Sequence, residues 1–396
     1  SPSPQISGDT ISVRGGDLLA RWNHTLSGGS DMSLQMYVDQ YRRVDFGAPE
    51  THRAFDLDFQ HHVALGSRHD IVWGFGYRST NSGLKSADLS FVPSSRTDGL
   101  YSTFIQDEIR ITNTLWLTVG SKFEHNPYSG FEYEPGASLA WTPSKKHTIW
   151  LSAAKAIRQT SLLNASIDAT LSTIPLPNGL IQKLTLFGNP QFKSEQVRDY
   201  EAGYRAQLTK RVSLDVALFG SFYRHLETFD PGPVPPFFNP SMQLVVPATY
   251  GNKAHATNFG GEMSTTWQVN SRWRLSPGYS FIQMRVERNP GSQDLFPAEP
   301  GGDAPKHMLQ VRSEFNLAKN IDFDNALYYS ARLPSTGAPS RARFDSRIAW
   351  RAGESLEFSV VGQNLLRPRT LEFGDAFAVV GTETERSVFG KITWRF

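Results

Sequence analysis

The sequence predicts an all-β protein, a transmembrane antiparallel up-and-down β-barrel. Three observations predict it: apolar and polar residues alternate with period two in many segments, short turns alternate with long connections, and the chain ends on a strand that finishes with phenylalanine. Side chains of a strand point alternately to opposite faces, so each alternating segment has one apolar and one polar face. A barrel wall needs both faces, because it borders lipid outside and a polar lumen inside.

The composition agrees with a membrane barrel. The chain has 396 residues, a formal net charge of +2 and 20% charged residues, so its charge gives no sign of a nucleic-acid partner. Aromatic residues reach 12%, which suits the aromatic girdles of such a barrel. No run of about eighteen apolar residues exists, which excludes a transmembrane helix. Cysteine is absent, which excludes cysteine nucleophiles and thiolate metal sites.

Alternation is clearest over residues 55–65, where Phe55 and Leu57 alternate with Asp56 and Asp58. The same period returns over residues 115–124, 212–223, 308–315, 321–329 and 385–396. Alternation repeated this often rejects amphipathic helices, and no helical stretch is predicted.

Connections of two lengths alternate along the chain. Short polar turns are predicted at residues 27–30, 66–68, 112–114, 144–146, 209–211, 270–272, 318–320 and 352–355. Longer irregular connections are predicted at residues 43–50, 79–97, 159–194, 224–253, 287–305, 332–340 and 367–384. Residues 126–130 are an exception, a short connection where a long one is expected. Short periplasmic turns and long extracellular loops are typical of a transmembrane barrel, whereas a soluble sandwich lacks this rhythm.

The turns also predict the size of the barrel. Each short turn joins two strands, and one further strand at each end gives about eighteen strands, an even number as in bacterial single-chain barrels. A barrel of this size corresponds to a porin, and larger plugged barrels reach about 22 strands. The whole chain, residues 1–396, is therefore predicted to be a single β-barrel domain.

Several segments resemble the barrel of TonB-dependent outer-membrane receptors, and they occur in that family's order. The best match is residues 188–205 (GNPQFKSEQVRDYEAGYR). Further matches are residues 19–24 (LARWNH), 104–108 (FIQDE), 150–161 (WLSAAKAIRQTS), 258–262 (NFGGE), 305–307, 345–350 (DSRIAW), 362–365 (GQNL) and 372–373. Within residues 150–161, Ala154, Lys155 and Thr160 replace the family's Ser, Arg and Pro, so that match is degraded.

The resemblance implies a larger protein than this chain. Receptors of this family carry an N-terminal plug, preceded by a short box that binds TonB, and a barrel of about 22 strands. The chain begins at what resembles the fifth strand, so we expect a partial barrel whose plug and first roughly four strands are not in the chain. An open sheet in lipid has two unpaired edges, each exposed backbone group costing several kcal/mol. The alternative is a chain that closes on itself as a pore of about eighteen strands.

The function implied by the resemblance is TonB-dependent uptake of a scarce, bulky nutrient across the bacterial outer membrane, with a ferric siderophore as the expected cargo. Expected partners are outer-membrane lipid, a small-molecule metal chelate, and the plug domain and TonB complex through residues not in this chain. No cofactor is expected. Two alternatives stay open: a passive porin-like channel of about eighteen strands, and a barrel-embedded enzyme or soluble β-rich binding module. Gly-rich phosphate loops, HExxH and GxSxG motifs are absent, so no enzymatic activity is predicted.

Two sets of residues are candidates for functional contacts. Residues in or beside the two longest loops are candidates for substrate binding: Phe187, Tyr223, His225, Phe229, Phe237 and Phe238. Their aromatic members serve equally well as an outer girdle and as packing for the loops. Charged residues of the family-like segments are candidates for the lumen wall facing a plug: Arg158, Glu195, Glu201 and Arg205. The same charges also suit ion pairs of a polar lumen.

No metal site is predicted. His225, Glu227 and Asp230 lie close together in one loop, but a metal site needs three or four convergent ligands. A solvated polar loop therefore accounts for them.

The last strand completes the prediction. Ile392, Trp394 and Phe396 are expected to face lipid, while Lys391, Thr393 and Arg395 are expected to face the lumen. Its hydrogen-bonding partner is expected to be a first strand that the chain does not contain.

Overall fold

The computed structural model describes residues 11–45, 48–86, 89–298, 301, 304–373 and 382–396, and most of them are in strands. The elements are β1 (Ser12–Thr25), β2 (Asp31–Asp45), β3 (Ala48–Leu65), β4 (His69–Lys85), β5 (Leu89–Arg110), β6 (Leu115–Asn126), β7 (Gly130–Ser144), β8 (His147–Arg158), α1 (Leu162–Ser166), β9 (Ile167–Pro175), β10 (Ile181–Phe187), β11 (Glu195–Thr209), β12 (Val212–Pro231), β13 (Phe237–Phe238), β14 (Leu244–Asn270), β15 (Trp273–Arg288), β16 (His307–Ala318), β17 (Ile321–Ser330), β18 (Arg341–Arg351), β19 (Leu356–Gln363), β20 (Arg369–Phe373), β21 (Thr382–Glu385) and β22 (Ser387–Trp394). None of the helices described is long and apolar enough to cross a membrane.

Twenty strands form one sheet, and β20 and β21 form a separate pair. Three of the twenty, β9, β10 and β13, lie outside the main succession, so seventeen strands follow one another as antiparallel neighbours. The predicted fold class is confirmed, and seventeen is close to the predicted count of about eighteen. Within the described residues, β1 pairs only with β2 and β22 only with β19, so the sheet has two edges there.

The predicted short turns all join antiparallel neighbours, and their local chemistry explains why. Gly66 and Gly353 have φ of 65° and 90°, a region that glycine enters without steric cost. In the turn between β14 and β15, the Asn270 side chain accepts a hydrogen bond from the Arg272 N–H at 2.9 Å. The short connection at residues 126–130 is also present, since Asn126 accepts from the backbone N–H of Ser129 at 2.8 Å.

The long connections differ most from the prediction of irregular loops. β4 and β5 pair through most of residues 79–97, and β12 and β14 extend deep into residues 224–253. Residues 159–194 contain α1, β9 and β10 rather than a loop. The prediction is wrong there because strand extensions beyond the membrane need no apolar outer face, so period two disappears although pairing continues. Most of residues 367–384 lie outside the described residues.

The two faces of the wall differ in chemistry. One face carries exposed apolar side chains, among them Trp22, Phe75, Leu218, Met263, Ile348 and Trp394. The opposite face carries ion pairs between neighbouring strands, including Arg78–Asp56, Arg205–Asp215, Arg274–Glu314, Arg347–Asp324 and Arg351–Asp322. The apolar face is therefore the lipid side and the charged face the lumen side.

Aromatic side chains on the lipid side form two girdles. The lower girdle lies near the short turns and contains Trp22, Trp73, Trp141, Trp267, Trp273, Trp350 and Trp394. The upper girdle lies toward the long connections and contains Tyr77, Tyr101, Tyr133, Tyr200, Phe222, Phe259 and Tyr279. In β15, Trp273 and Tyr279 are six residues apart, about 20 Å along the strand. Such girdles mark the two membrane–water interfaces.

The last strand follows the same division. Ile392 lies opposite Phe358, and Trp394 lies opposite Leu356, on the lipid side. Lys391 lies opposite the buried Ser359 on the other face. The chain end at Phe396 lies just beyond this strand.

The most deeply buried apolar cluster lies above the wall. It contains Ile167, Ala169, Leu186, Phe192, Ala248 and Tyr250, with Leu84, Phe91, Leu184 and Phe229 packed against it. We call residues 159–194 and 224–253 together the cap. The cap lies at the ends of the strands that the long connections join, which is the extracellular side.

Candidate functional site

The cap is built from short elements held by side-chain hydrogen bonds. Ser161 begins α1, and its hydroxyl accepts from the N–H of Asn164, while the Asn164 side chain accepts from the Ser161 N–H. This reciprocal pair satisfies two N–H groups that a helix start leaves without partners. β9 and β10 then form a hairpin that also pairs with β5 and, in parallel, with β14. The cap is thus joined to the wall through its backbone.

A charged cluster joins the cap to the wall. Arg158 at the end of β8 binds Glu195 of β11, with Nε to Oε2 at 2.7 Å, and Glu227 of β12, with Nη2 to Oε2 at 3.3 Å. Asn164 donates to the same Glu227 oxygen at 2.8 Å. Burial raises the pKa of Glu227, an effect that Arg158 and Asn164 only partly offset. One guanidinium therefore links two strands and, through Glu227, the helix of the cap.

A second polar anchor holds residues 289–298 against the cap. The carboxylate of Asp230 is 3% exposed and accepts from the N–H of Gln293 and the hydroxyl of Thr228, both at 2.8 Å. Lys253 lies 3.5 Å away. Burial works against ionisation, but these donors outweigh it and hold the pKa of Asp230 below its ordinary value.

The predicted lumen residues are only partly brought together. Arg158 and Glu195 meet at the base of the cap, together with Glu227, which was not a candidate. Glu201 and Arg205 lie further down β11 on the lumen side, where Arg205 pairs with Asp215 at 2.6 Å. Their contact with a plug stays a prediction.

The predicted substrate-binding residues lie in three different surroundings. Phe229 packs in the cap, with ring centroids 5.1 Å from Tyr250. Phe187 is half-buried at the end of β10, whereas Phe237 and Phe238 are exposed on β13. None of these positions tests a contact with substrate.

Tyr223 and His225 lie apart from the other candidates. Both line a cavity of about 660 Å³ at the upper edge of the wall. His225 has a φ of 59°, and its Nδ1 is buried without a hydrogen-bond partner. The strand register between β12 and β14 shifts at this point, which explains the strained backbone.

A larger cavity of about 950 Å³ lies against the lumen side of β14 to β18. Arg341 and Arg343 of β18 line it, together with Tyr328 of β17. Arg343 is held by Asp345 at 2.8 Å and lies 6.0 Å from the centroid of the Tyr328 ring. Arg341 donates to the backbone carbonyl of Glu372 at 3.3 Å. Asp215 of β12, Glu262 of β14 and Glu372 of β20 also line the cavity, so it is polar and carries charges of both signs, with the two arginines grouped on β18.

Sequence reasoning missed Arg341 and Arg343. The signal that could have found them is parity, since both lie on the same face of one strand as Arg347, which pairs with Asp324 and Glu357. Within the described residues, no group of three or more His, Cys, Asp or Glu side chains is placed to hold a metal ion.

The family described as TonB dependent receptor-like, beta-barrel, matches residues 6–365. None of the curated proteins matches the chain in sequence. Similar solved structures include the siderophore receptor PirA of Acinetobacter baumannii, with a TM-score of 0.76 and 13% identity. They also include the ferric enterobactin receptor PfeA of Pseudomonas aeruginosa, at 0.74 and 14%, and the ferric-catecholate import receptor Fiu of E. coli, at 0.70 and 12%.

These structures cover 98% of this chain, which in turn spans 63%, 62% and 64% of theirs. The likeness to them shows the fold. Both the family and these neighbours are transport receptors. Since the family match runs through nearly the whole wall, the chain belongs to the TonB-dependent receptor β-barrel family of the bacterial outer membrane.

Proposed function

We propose that the chain forms the wall and cap of a receptor that imports a ferric siderophore across the outer membrane, with energy from the TonB complex. The similar structures support the cargo class, because they are described as siderophore, ferric enterobactin and ferric-catecholate receptors. A further similar structure is a complex of a PfeA mutant with enterobactin. Transport rather than catalysis is the proposed activity.

The lumen cavity is the observation that carries this proposal. Its volume of about 950 Å³ lies at the upper end of the range of about 300–1,000 Å³ of small-molecule sites. Ferric complexes of doubly deprotonated catecholate ligands carry net negative charge, which the two arginines attract in a site partly shielded from water. Tyr328 adds an aromatic surface beside Arg343. The cavity is therefore large enough for a bulky chelate, and Arg341, Arg343 and Tyr328 offer contacts for its anionic aromatic ligands on the side away from Asp215 and Glu262.

The cap is proposed to capture the chelate before it reaches the cavity. Phe237 is 40% exposed and Phe238 51% exposed, so both offer apolar contact surface at its tip. Phe187, Tyr223, His225 and Phe229 are proposed to act less directly, by shaping the cap and the upper wall around the entrance.

We also propose that a plug domain and about four further strands complete this barrel in the whole protein. The support is physical: the exposed backbone groups of the described edges at β1 and β22 each cost several kcal/mol in lipid. Arg158, Glu195, Glu201 and Arg205 are proposed to face that plug, and TonB is proposed to act through it.

The test is ligand binding to the protein as its gene encodes it, purified in detergent. Ferric catecholate and ferric hydroxamate siderophores, cobalamin and copper complexes are titrated in turn by isothermal calorimetry. The proposal expects binding of one ferric siderophore class, weakened at least about tenfold in Arg341→Gln/Arg343→Gln. Binding of none of the ferric siderophores contradicts the proposed cargo.

A further inference from the structure

Three cations stand side by side on the lipid side of the wall without an acidic partner. Lys155 of β8 and Arg198 of β11 lie directly opposite each other in the strand register. Arg224 of β12 lies opposite Gln196, two residues along β11 from Arg198. None of the three forms an ion pair with another residue that the structure describes. Like charges directly opposite each other on a sheet repel, so an anion from outside the chain would stabilise this arrangement.

Their height on the wall indicates where that anion comes from. Arg198 and Arg224 each lie two residues beyond an upper-girdle aromatic on their own strand, Tyr200 and Phe222 respectively. Two residues correspond to about 7 Å along a strand. The ammonium of Lys155 lies 3.9 Å from the centroid of another girdle ring, that of Tyr133. All three cations therefore lie at the level of the lipid headgroups of the outer leaflet.

A cavity of about 660 Å³ opens in this part of the wall. Arg198 and Arg224 form its basic part, and Tyr200 and Phe222 form its apolar part. This combination suits a molecule with a negatively charged head and an apolar tail. A free inorganic anion would leave the apolar part of the cavity uncovered.

The acidic residue that lies nearest by register on this face does not neutralise Lys155, Arg198 or Arg224. Glu287 of β15 binds Arg285 at 2.6 Å and His255 at 3.3 Å. His255 in turn contacts Asn289 at 2.8 Å on the far side of the cavity. Glu287 is therefore already engaged, and the carboxylates of Glu195, Asp199 and Glu201 belong to the opposite face of β11.

We propose that Lys155, Arg198 and Arg224, which we call the basic patch, bind the phosphate groups of an anionic lipid of the outer leaflet. The two arginines line the cavity, and Lys155 lies opposite Arg198 beside it. The phosphates contact the three cations, and the first part of the acyl chains packs on Tyr200 and Phe222. Binding there removes the repulsion between Lys155 and Arg198 and fixes the height of the wall in the membrane.

The experiment compares four proteins, each encoded by the complete gene and purified in a non-ionic detergent. They are the natural protein, Arg198→Gln, the triple variant Lys155→Gln/Arg198→Gln/Arg224→Gln, and a control Lys145→Gln/Lys210→Gln/Arg272→Gln. The control removes the same charge from exposed positions at the short turns. Native mass spectrometry measures binding of bis-phosphorylated lipid A, dephosphorylated lipid A and inorganic phosphate to each protein.

The natural protein and the control are expected to bind bis-phosphorylated lipid A equally. The triple variant is expected to lose at least about tenfold in affinity, with Arg198→Gln in between. Dephosphorylated lipid A is expected to bind all four proteins alike and weakly, and inorganic phosphate is not expected to displace the lipid. Undiminished binding by the triple variant overturns the proposal, and so does tight binding of the dephosphorylated lipid. If inorganic phosphate at equal concentration displaces the lipid, the basic patch is a site for free anions, and the proposal is overturned as well.

Discussion

Arg158 and Glu195 lie opposite each other across β8 and β11, and their side chains meet with Nε and Oε2 2.7 Å apart. The same guanidinium reaches Glu227, whose own backbone N–H donates to Glu195 at 2.8 Å. Two carboxylates at the base of the cap therefore depend on one cation. Loss of that cation leaves two like charges close together.

We expect Arg158→Gln to loosen the cap while the wall stays folded, because the carboxylates of Glu195 and Glu227 then repel each other. The measurement is limited proteolysis, in which cleavage within residues 159–194 should become several-fold faster. Arg158→Lys is the matched control, since it keeps the charge and loses only the guanidinium geometry, and it should lie in between. Equal cleavage of the natural protein and Arg158→Gln contradicts this role.

Acid is expected to release the segment that Asp230 holds. The pKa of Asp230 is lowered in the folded protein, so its contribution to stability is present above the unfolded-state pKa of about 3.9. That contribution is lost as pH falls through the lower folded-state value. The protection factor of the Gln293 amide against hydrogen exchange should therefore fall below about pH 4.

Asp230→Asn is the matched control for the acid effect. It keeps the size of the side chain but not its charge, so protection at Gln293 should already be low near neutral pH and nearly independent of pH. A protection factor in the natural protein that stays constant down to about pH 2 would contradict the role of the carboxylate.

The close approach of Trp150 limits the size of the side chain that position 203 can hold inside the barrel. Gly203 and Trp150 lie opposite each other on β11 and β8, and a Cβ at Gly203 would overlap the indole ring of Trp150. Gly203→Ala should therefore destabilise the folded barrel by about 1–3 kcal/mol. The measurement is the midpoint of denaturant-induced unfolding in detergent micelles.

Gly136→Ala provides the comparison for Gly203→Ala. A Cβ at Gly136 would meet Ala154 at 3.7 Å, an ordinary contact, so this variant should unfold almost like the natural protein. If both alanine variants unfold alike, the close approach of Trp150 does not limit this position.

The two arginines of the lumen cavity are expected to act on affinity rather than on folding. Arg341→Gln/Arg343→Gln should weaken binding of the cognate ferric siderophore, and the effect should shrink in high salt because the attraction is screened. Arg274→Gln is the control, since Arg274 lies on the lumen side near the short turns and pairs with Glu314. Equal losses in both variants would point to a general charge effect of the lumen.

Much of the wall could be predicted from the sequence, because a barrel strand must present one face to lipid and the other to the lumen. Residues 55–65 illustrate this, since Phe55, Leu57 and Phe59 lie on the lipid side of β3. The turns were predictable from local chemistry, because residues such as Asn270 close a tight turn with their own side chains.

The cap could not be predicted, since its order rests on contacts far apart in sequence. Leu89 pairs with Ala169, and Leu184 of β10 lies beside Val246 of β14. Neither contact leaves a periodic signal in a single sequence. The buried core of the cap also uses small residues such as Ala248, which no hydrophobic pattern singles out.

Only part of the candidate site could be predicted, because some of its residues meet only through contacts between segments far apart in sequence. Arg158 and Glu195 belong to segments with a family resemblance, whereas Glu227 joins them only because β12 extends beyond the membrane. Arg341 and Arg343 share a face by parity, but only the register of β17 and β18 places Tyr328 opposite Arg343 on the same cavity wall.

We propose that the whole protein imports a ferric siderophore at the expense of energy from TonB. The most direct test is uptake of its iron-55-labelled ferric siderophore by cells that carry the gene, with and without a functional TonB. We expect saturable uptake that stops when TonB is absent, while binding at the cell surface persists. Uptake that continues at the same rate without TonB would contradict TonB-dependent import and identify the barrel as a passive pore.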